Sequence, residues 1–267
     1  ILSLKTQEEE QQSAINEAKA EYDAITEAIA ATNQEGSRLT KEIRAIQESM
    51  KQQSTQLEAG QTAYHREASR LESLRNITER YDGYGNSIRR VMEQKDQVQG
   101  IRGVVADIIH VEKNYEIAIE TALGGSIQNI VTDNEQTAKH MIEFLKKNRF
   151  GRATFLPLNS INTRSGFTQR DALKEPGVIG LASELVTTGP EYVGLATYLL
   201  GRVLVVDHID NAIAIARKYR HSIRIVTPEG DLLNPGGSMS GGAFKNSSNL
   251  LGRKREMEEL EEACKKA

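Results

Sequence analysis

Residues 15–50 read INEAKAEYDAITEAIAATNQEGSRLTKEIRAIQESM, and their large apolar residues, Ile15, Tyr22, Ile25, Ile29, Leu39, Ile43, Ile46 and Met50, recur at spacings of three, four or their sums. Working outward, Ile1 and Leu4 on one side and Leu57, Tyr64, Leu71 and Leu74 on the other hold the same heptad register. Only Leu2, of the large apolar residues before Ile77, falls off it, and Ala, Glu, Gln, Lys and Arg fill most other positions. A narrow seam of this period is a coiled-coil helix. At about 1.5 Å per residue it extends on the order of 110 Å, too long for an internal helix of a small domain, so residues 1–81 are expected to form an arm. Glu8, Gln11, Gly36, Gln53, Gly60 and Glu67 interrupt the seam and are expected to weaken its packing and mark bends.

The rest of the chain has a different composition. All five prolines lie between Pro157 and Pro235, and residues 81–249 carry 19 basic against 18 acidic side chains. That balance is unlike a dedicated duplex-DNA reader. The 267 residues carry a net charge of −3, with no run of about 20 apolar residues and no basic leader before an apolar core, so neither a membrane span nor a secretory signal is expected. The single Cys264 has no partner for an internal disulfide and no metal-ligand spacing around it.

Tyr81-Asp82-Gly83-Tyr84-Gly85 breaks the arm. The pattern beyond it predicts helices at Ser87–Lys95, Tyr115–Leu123 with Asn114 as cap, Glu135–Lys147, Glu191–Leu200 and His208–Tyr219. It predicts strands at Val104–Val111, Gln128–Val131, Ala153–Leu158, Val203–Val206 and Ile223–Val226, with Asn159–Pro176 a loop. Val131-Thr132-Asp133, a helix ending in Lys146-Lys147, and Ala153–Leu156 parallel Val206-Asp207, a helix ending in Arg217-Lys218, and Ile223–Val226. This is either a degenerate duplication or the general likeness of β-α-β units. At the C-terminal end Leu250, Met257, Leu260 and Cys264 resume the three-four spacing. The simplest arrangement is an α/β (α+β) globule of two subdomains, residues 82–167 and 168–249, flanked by an antiparallel coiled coil whose returning strand begins at 250–267. The short return covers only the last quarter of the first helix. With Ile1 at the start, the sequence reads as a piece of a longer protein.

The stretch Asn234-Pro235-Gly236-Gly237-Ser238-Met239-Ser240-Gly241-Gly242-Ala243 invites several readings. It lacks the Lys-Ser/Thr and following helix of a phosphate-binding loop. Ser240-Gly241-Gly242 echoes an ABC ATPase signature, but its flanking residues differ and the chain contains no Walker A sequence. A flexible loop fits the composition. So does a surface where side-chain-free backbone admits close approach of another strand. His65, His110, His140, His208 and His221 have no metal spacing or evident nucleophile partner, so catalysis is not expected. No Cys-x-x-Cys is available for a zinc hook.

The heptad arm, the Gly236–Gly242 segment near the end of an α/β domain, and the returning heptad together resemble the hinge of a bacterial SMC (structural maintenance of chromosomes) protein. Gly103-Val104-Val105-Ala106-Asp107, Ala122-Leu123-Gly124-Gly125, Arg152-Ala153-Thr154-Phe155-Leu156-Pro157-Leu158 and Leu204-Val205-Val206-Asp207 also look like family positions. The resemblance implies a homodimerising hinge of two subdomains between antiparallel coiled-coil arms, with ATPase heads outside this chain and no cofactor within it. It implies a cytoplasmic, nucleoid-associated setting. On this reading Gly236, Gly237, Ser238, Met239, Ser240, Gly241 and Gly242 contribute to the hinge-hinge contact, with a second contact elsewhere. It also implies weak, salt-sensitive, sequence-independent DNA binding near the hinge-coil junction, with Lys146, Lys147, Arg149, Lys245, Arg253, Lys254 and Arg255 as candidates. A ligand-sensing α/β module inserted in a coiled coil is the alternative.

Overall fold

The computed structural model describes residues 2–162, 166–243 and 249–266, the side chains of residues 2 and 3 excepted. Lys245, one of the candidate DNA contacts, lies outside them. Two compact units divide the chain, residues 1–65 and 66–267.

The described part of the first unit is all helix, part of α1, which runs Leu2–Glu79 without a break through Gly36 and Gly60. The expected bends do not interrupt its hydrogen bonding, because an isolated glycine in a helix costs only about 1 kcal/mol. Its seam is open to solvent, with Leu4, Ile15, Tyr22, Ile25, Ile29, Leu39, Ile43, Ile46, Met50 and Leu57 all exposed. Short-range pairs such as Arg38 with Glu35 and Glu42, at 2.6 and 2.7 Å, decorate its surface.

In the second unit the last turns of α1 pack against α8 (Leu250–Lys266). Thr78 Oγ1 donates to the Met257 sulfur at 3.2 Å, and Arg75 pairs with Glu261 at 2.6 Å. As one helix descends in number the other ascends, so these turns run antiparallel. Leu71, Leu74 and Ile77 are half-buried there, and Leu260 is buried.

Between these helices lies an internal duplication. The first copy runs β1 (Ile101–Val104), α3 (Val105–Ile108), β2 (His110–Val111), α4 (Glu116–Leu123), β3 (Ile130–Thr132), α5 (Glu135–Asn148) and β4 (Phe155–Pro157), after a short α2 (Asn86–Met92). The second runs β5 (Val178–Leu181), a 3-10 turn, β6 (Val186–Thr187), α6 (Val193–Leu200), β7 (Val203–Val206), α7 (Ile209–Lys218) and β8 (Arg224–Val226). Then β9 (Leu232–Leu233) and β10 (Met239–Ser240) are added, with no counterpart after β4 among the described residues. The sheets are β1-β3-β4 and β10-β9-β8-β7-β5, and β2 pairs with its own equivalent β6.

The equivalence extends to single residues. Gly103 pairs with Val131 as Gly180 pairs with Val205, each beside a register shift and each at positive φ, 146° and 158°. Asp133 N–H donates to the Gly100 carbonyl at 2.9 Å, and Asp207 N–H to the Gly177 carbonyl at 2.8 Å. A Cβ on Gly100 would overlap Asp133 and Thr137, and one on Gly177 would overlap Asp207 and Asn211. Glycine suits both because an Asp and a helix side chain from the following β-α unit lie against the backbone there, Asp133 with Thr137 and Asp207 with Asn211. The duplication reading therefore prevails over chance likeness of β-α-β units.

The larger core joins both copies, with Val104, Ile119, Ile130 and Met141 packed in one cluster with Leu195, Leu200, Val205 and Val226. A smaller core of Leu204, Val206, Ile215 and Ile225 belongs to the second copy.

Several local expectations change. Val104–Val111 is not one strand but the end of β1, the single turn α3, and β2. Val104, Val105, Ala106, Ile108 and Ile109 are all buried, so the apolar run carries no periodicity that could separate strand from helix. Asn114 does not cap α4. A 3-10 turn, Lys113–Tyr115, leads in and Tyr115 takes the cap position without a side-chain bond. Asn134 does cap α5, accepting from Thr137 N–H at 3.0 Å. Within the expected loop, Arg170–Lys174 forms a 3-10 turn, and β5 and β6 follow as strands too short and glycine-interrupted to show alternation.

Candidate functional site

The glycine-rich segment leaves β9 through a closed turn. Asn234 N–H donates to the Ser238 carbonyl at 2.9 Å, Gly237 N–H to the Asn234 carbonyl at 3.1 Å, and Gly236 N–H to the His221 carbonyl at 2.8 Å. Gly236 and Gly237 sit at the tip with φ near +90° and +98°, a conformation that excludes Cβ-bearing residues at little strain. The chain then returns as β10, pairing Met239 with Leu233 and Ser240 with Leu232. Its other side is the edge of the five-stranded sheet. Every residue from Pro235 to Ala243 is exposed, including Met239 at 51%.

The glycines therefore have a local reason that sequence reading did not weigh. Gly242 also has positive φ, 131°, and a Cβ on Gly241 would crowd Asp231 Oδ1 at 2.6 Å. Asp231 is fixed by Thr227, whose Oγ1 donates to its carboxylate at 2.9 Å. The segment is a shaped edge strand, not a slack loop.

A second open edge lies in the other sheet. β4 is the equivalent of β8, yet β8 has β9 on its far side and β4 has no strand there among the described residues. Beside β4 a groove of about 420 Å³ is lined by Ala138, Ile142, Ala153, Phe155 and Pro157, with Ile142 exposed.

The candidate cations fall on two elements. Lys146 and Lys147 end α5, and Arg149 follows at φ 55° as its left-handed cap; all three are exposed. Their position suits the negative end of the helix dipole. Sequence reading missed the arginines around them: the Arg90 guanidinium lies 5.1 Å from the Phe150 ring centroid, and Arg80, Arg89 and Arg90 share a groove with Glu79 and Glu93.

Arg253, Lys254 and Arg255 start α8 and are half-buried. Arg253 donates to the Asp82 carbonyl at 3.1 Å. Lys254 bonds the Asp107 carbonyl and approaches His110 Nε2 at 3.1 Å, and burial pulls its ammonium down from the usual lysine range. Arg255 pairs with buried Glu116, and with Glu259 at 2.6 Å. All three brace the returning helix on the globule. Burial likewise pushes Asp107 up, although Tyr81 donates to it at 3.1 Å.

Glu120 joins this brace from α4. Its Oε1 accepts from Leu250 N–H at 3.3 Å, supplying a cap to α8 from a different helix. Burial, with the neighbouring Glu116 charge adding to it, raises its carboxyl to about 7. No cluster of three or more His, Cys, Asp or Glu with metal-holding geometry occurs among the described residues, and no helix there is long and apolar enough to cross a membrane.

Comparison with known proteins bears on this architecture directly. Residues 98–216 match the family described as SMC proteins Flexible Hinge Domain. The chain is 49% identical over 174 residues to the chromosome partition protein Smc of Bacillus subtilis, covering 64% of this chain and 15% of that protein. It is 45% identical over 163 residues to the Smc of Desulfitobacterium hafniense, covering 61% of this chain and 14% of that one. The chain thus spans about one seventh of the length of these relatives. Among solved structures it is similar to the Geobacillus stearothermophilus SMC hinge domain, described as an asymmetric dimer, with TM-score 0.74, 36% identity, and 81% and 88% of the two chains covered. The Pyrococcus furiosus SMC hinge domain matches at TM-score 0.50 and 30% identity, covering 67% of this chain and 89% of that one. With its two-copy α/β body between antiparallel helix ends, the chain belongs to the SMC hinge family.

Proposed function

We propose that this chain is the homodimerisation hinge of a chromosome partition protein, with residues 82–167 and 168–249 as its two subdomains. The observation that carries this reading is the pair of open strand edges. Among the described residues β4 lacks the neighbour that β9 gives β8, while β10 projects an exposed edge bearing Met239. If β10 of each copy covers β4 of the other, both edges close at once. Two symmetry-related contacts follow, and a ring gains avidity because the second contact forms intramolecularly. The similarity to a hinge described as a dimer supports the same conclusion.

DNA contact is the second part of the proposal. The near balance of charge means that it rests on local clusters, is directed at phosphates, and falls steeply with salt. Lys146, Lys147 and Arg149 are the exposed members; Arg253, Lys254 and Arg255 share their charge with internal partners, and Lys245 completes the set from outside the described residues. ATP hydrolysis and nucleoid association belong to the whole protein of which this hinge is a part.

Solution mass by light-scattering chromatography tests the central claim. A dimer of twice 29.6 kDa at micromolar concentration supports the hinge. A monomer at that concentration favours the ligand-sensing module instead. Replacing the glycines is a poor probe of the surface, because positive φ at Gly236, Gly237 and Gly242 makes any side chain disturb the turn itself. Met239 tests the surface without that confusion.

A further inference from the structure

Beside β10 a cleft of about 480 Å³ is lined by Glu120, Thr121, Gly124, Gln128, Ser240, Gly241 and other residues. Glu120 is only 8% exposed, and while Oε1 caps α8, its Oε2 is buried with no hydrogen-bond partner among the described residues. The next residue repeats the feature: Thr121 Oγ1 is also buried and has no partner among the described residues. A buried polar oxygen without a partner is costly, and both residues line this cleft, which makes it a place for a donor from elsewhere.

The complementary group stands next to the other open edge. Arg152 precedes β4 and is exposed, with its carbonyl held by Ser87 Oγ at 2.6 Å. Its guanidinium has no ion pair or hydrogen bond among the described residues.

The duplication supplies the direction in which the edges meet. β3 pairs with β4 through Ile130 and Phe155 as β7 pairs with β8 through Leu204 and Ile225, which makes Phe155 the equivalent of Ile225. On β8 the added strand β9 is antiparallel, with Ile225 opposite Leu233. A strand covering β4 in the same sense is antiparallel too. When Met239–Ser240 lies against Phe155–Leu156 in that sense, Gly241–Ala243 run alongside Thr154, Ala153 and Arg152, at the mouth of the cleft.

We propose that in the homodimer Arg152 of the second copy enters this cleft and pairs with Glu120, with Thr121 Oγ1 as a further acceptor. A guanidinium suits the place because it carries several donors in a fixed fork and stays charged when desolvated. Twofold symmetry makes the pair twice, once at each contact. The glycines at 241 and 242 leave the cleft mouth free of side chains. Since Glu120 also caps α8, the arriving cation acts on the group that fastens the returning helix, linking ring closure to the arm junction. The inference rests on the dimer reading.

Dimer dissociation constants from sedimentation equilibrium, for the whole chain and for Glu120→Gln, Arg152→Gln and the double variant, test it. Each single change is expected to weaken the dimer about 10- to 100-fold, and the double no more than either alone, the mark of one shared interaction. Effects that multiply in the double variant overturn the pairing. So does an unchanged affinity in Arg152→Gln, whose exposed side chain leaves folding alone. A wild-type chain that stays monomeric at all concentrations defeats the dimer reading itself. Acidity supplies a readout that a merely structural role would not move. Facing Glu120 are Glu116 on its own helix, Arg253 and the Leu250 and Leu251 amides of α8, and Tyr84. Wild-type dimerisation is expected to tighten from pH 6 to pH 8, and Arg152→Gln to lose that dependence.

Discussion

Replacing Met239 by Glu probes the proposed interface at its most apolar exposed point. Fully burying a methionine side chain is worth about 1.5–3 kcal/mol, and Met239 is 51% exposed in the single chain, so covering the rest contributes about 1 kcal/mol. A symmetric dimer makes the contact twice, giving about 2 kcal/mol, or a dissociation constant roughly 30-fold weaker from lost burial alone. A desolvated carboxylate at the same place adds to the loss. Met239 lies outside the core, so circular dichroism and the thermal midpoint of the monomer should not change. A light-scattering dilution series from about 100 nM to 100 μM spans the expected range. An unchanged dissociation constant would refute the placement of β10 in the contact, and a lost fold would refute its description as a solvent-facing edge.

Three further outcomes follow from the same geometry. Glu116→Gln removes the buried partner of Arg255, whose two side chains are 5% and 25% exposed, and should cost about 3 kcal/mol or more in denaturant unfolding; a loss below 0.5 kcal/mol means the pair does not brace α8. Glu120 has a carboxyl near 7 in the folded chain against 4.5 ordinarily, so folding takes up a proton between those values. The part of stability due to Glu120 is thus highest below pH 4.5 and is lost as pH rises through 7, and in a Met239→Glu background Glu120→Gln should flatten the stability profile across that window. If Lys146, Lys147 and Arg149 meet phosphates, changing all three to Ala should lower the log-log salt slope of duplex binding by about 2 to 3, as read by fluorescence anisotropy; an unchanged slope assigns the contact to other cations.

The heptad register, the break at Gly83 and Gly85, and the alternation of strand and helix were decided by local sequence, because each depends on spacing; the cap expected at Asn114 does not form, and Asn134 caps α5 instead. The duplication was legible only in outline. Its support lies in Gly100 and Gly177, each held by the amide of an Asp about 30 residues away and crowded by that Asp and a helix side chain beyond it. The run around Val104–Ile109 could not be divided into strand and turn from sequence, since tertiary burial on every side erased its period.

For the site, sequence determined that the residues around Gly236–Gly242 are special, and tertiary structure decided why. Positive φ and a crowded Asp231 give local reasons for glycines that composition left open between a flexible loop and a surface for close approach. The basic run at Arg253–Arg255 is a set of DNA-contact candidates by resemblance, but the carboxylate and carbonyls it bonds come from α4, from residue 82 and from residue 107. The edge of β4, uncovered among the described residues, and the oxygens of Glu120 and Thr121, without partners there, had no local signal at all. Whether an edge is covered or a buried acceptor satisfied depends on which distant strands and side chains arrive beside it, and only the folded chain fixes that.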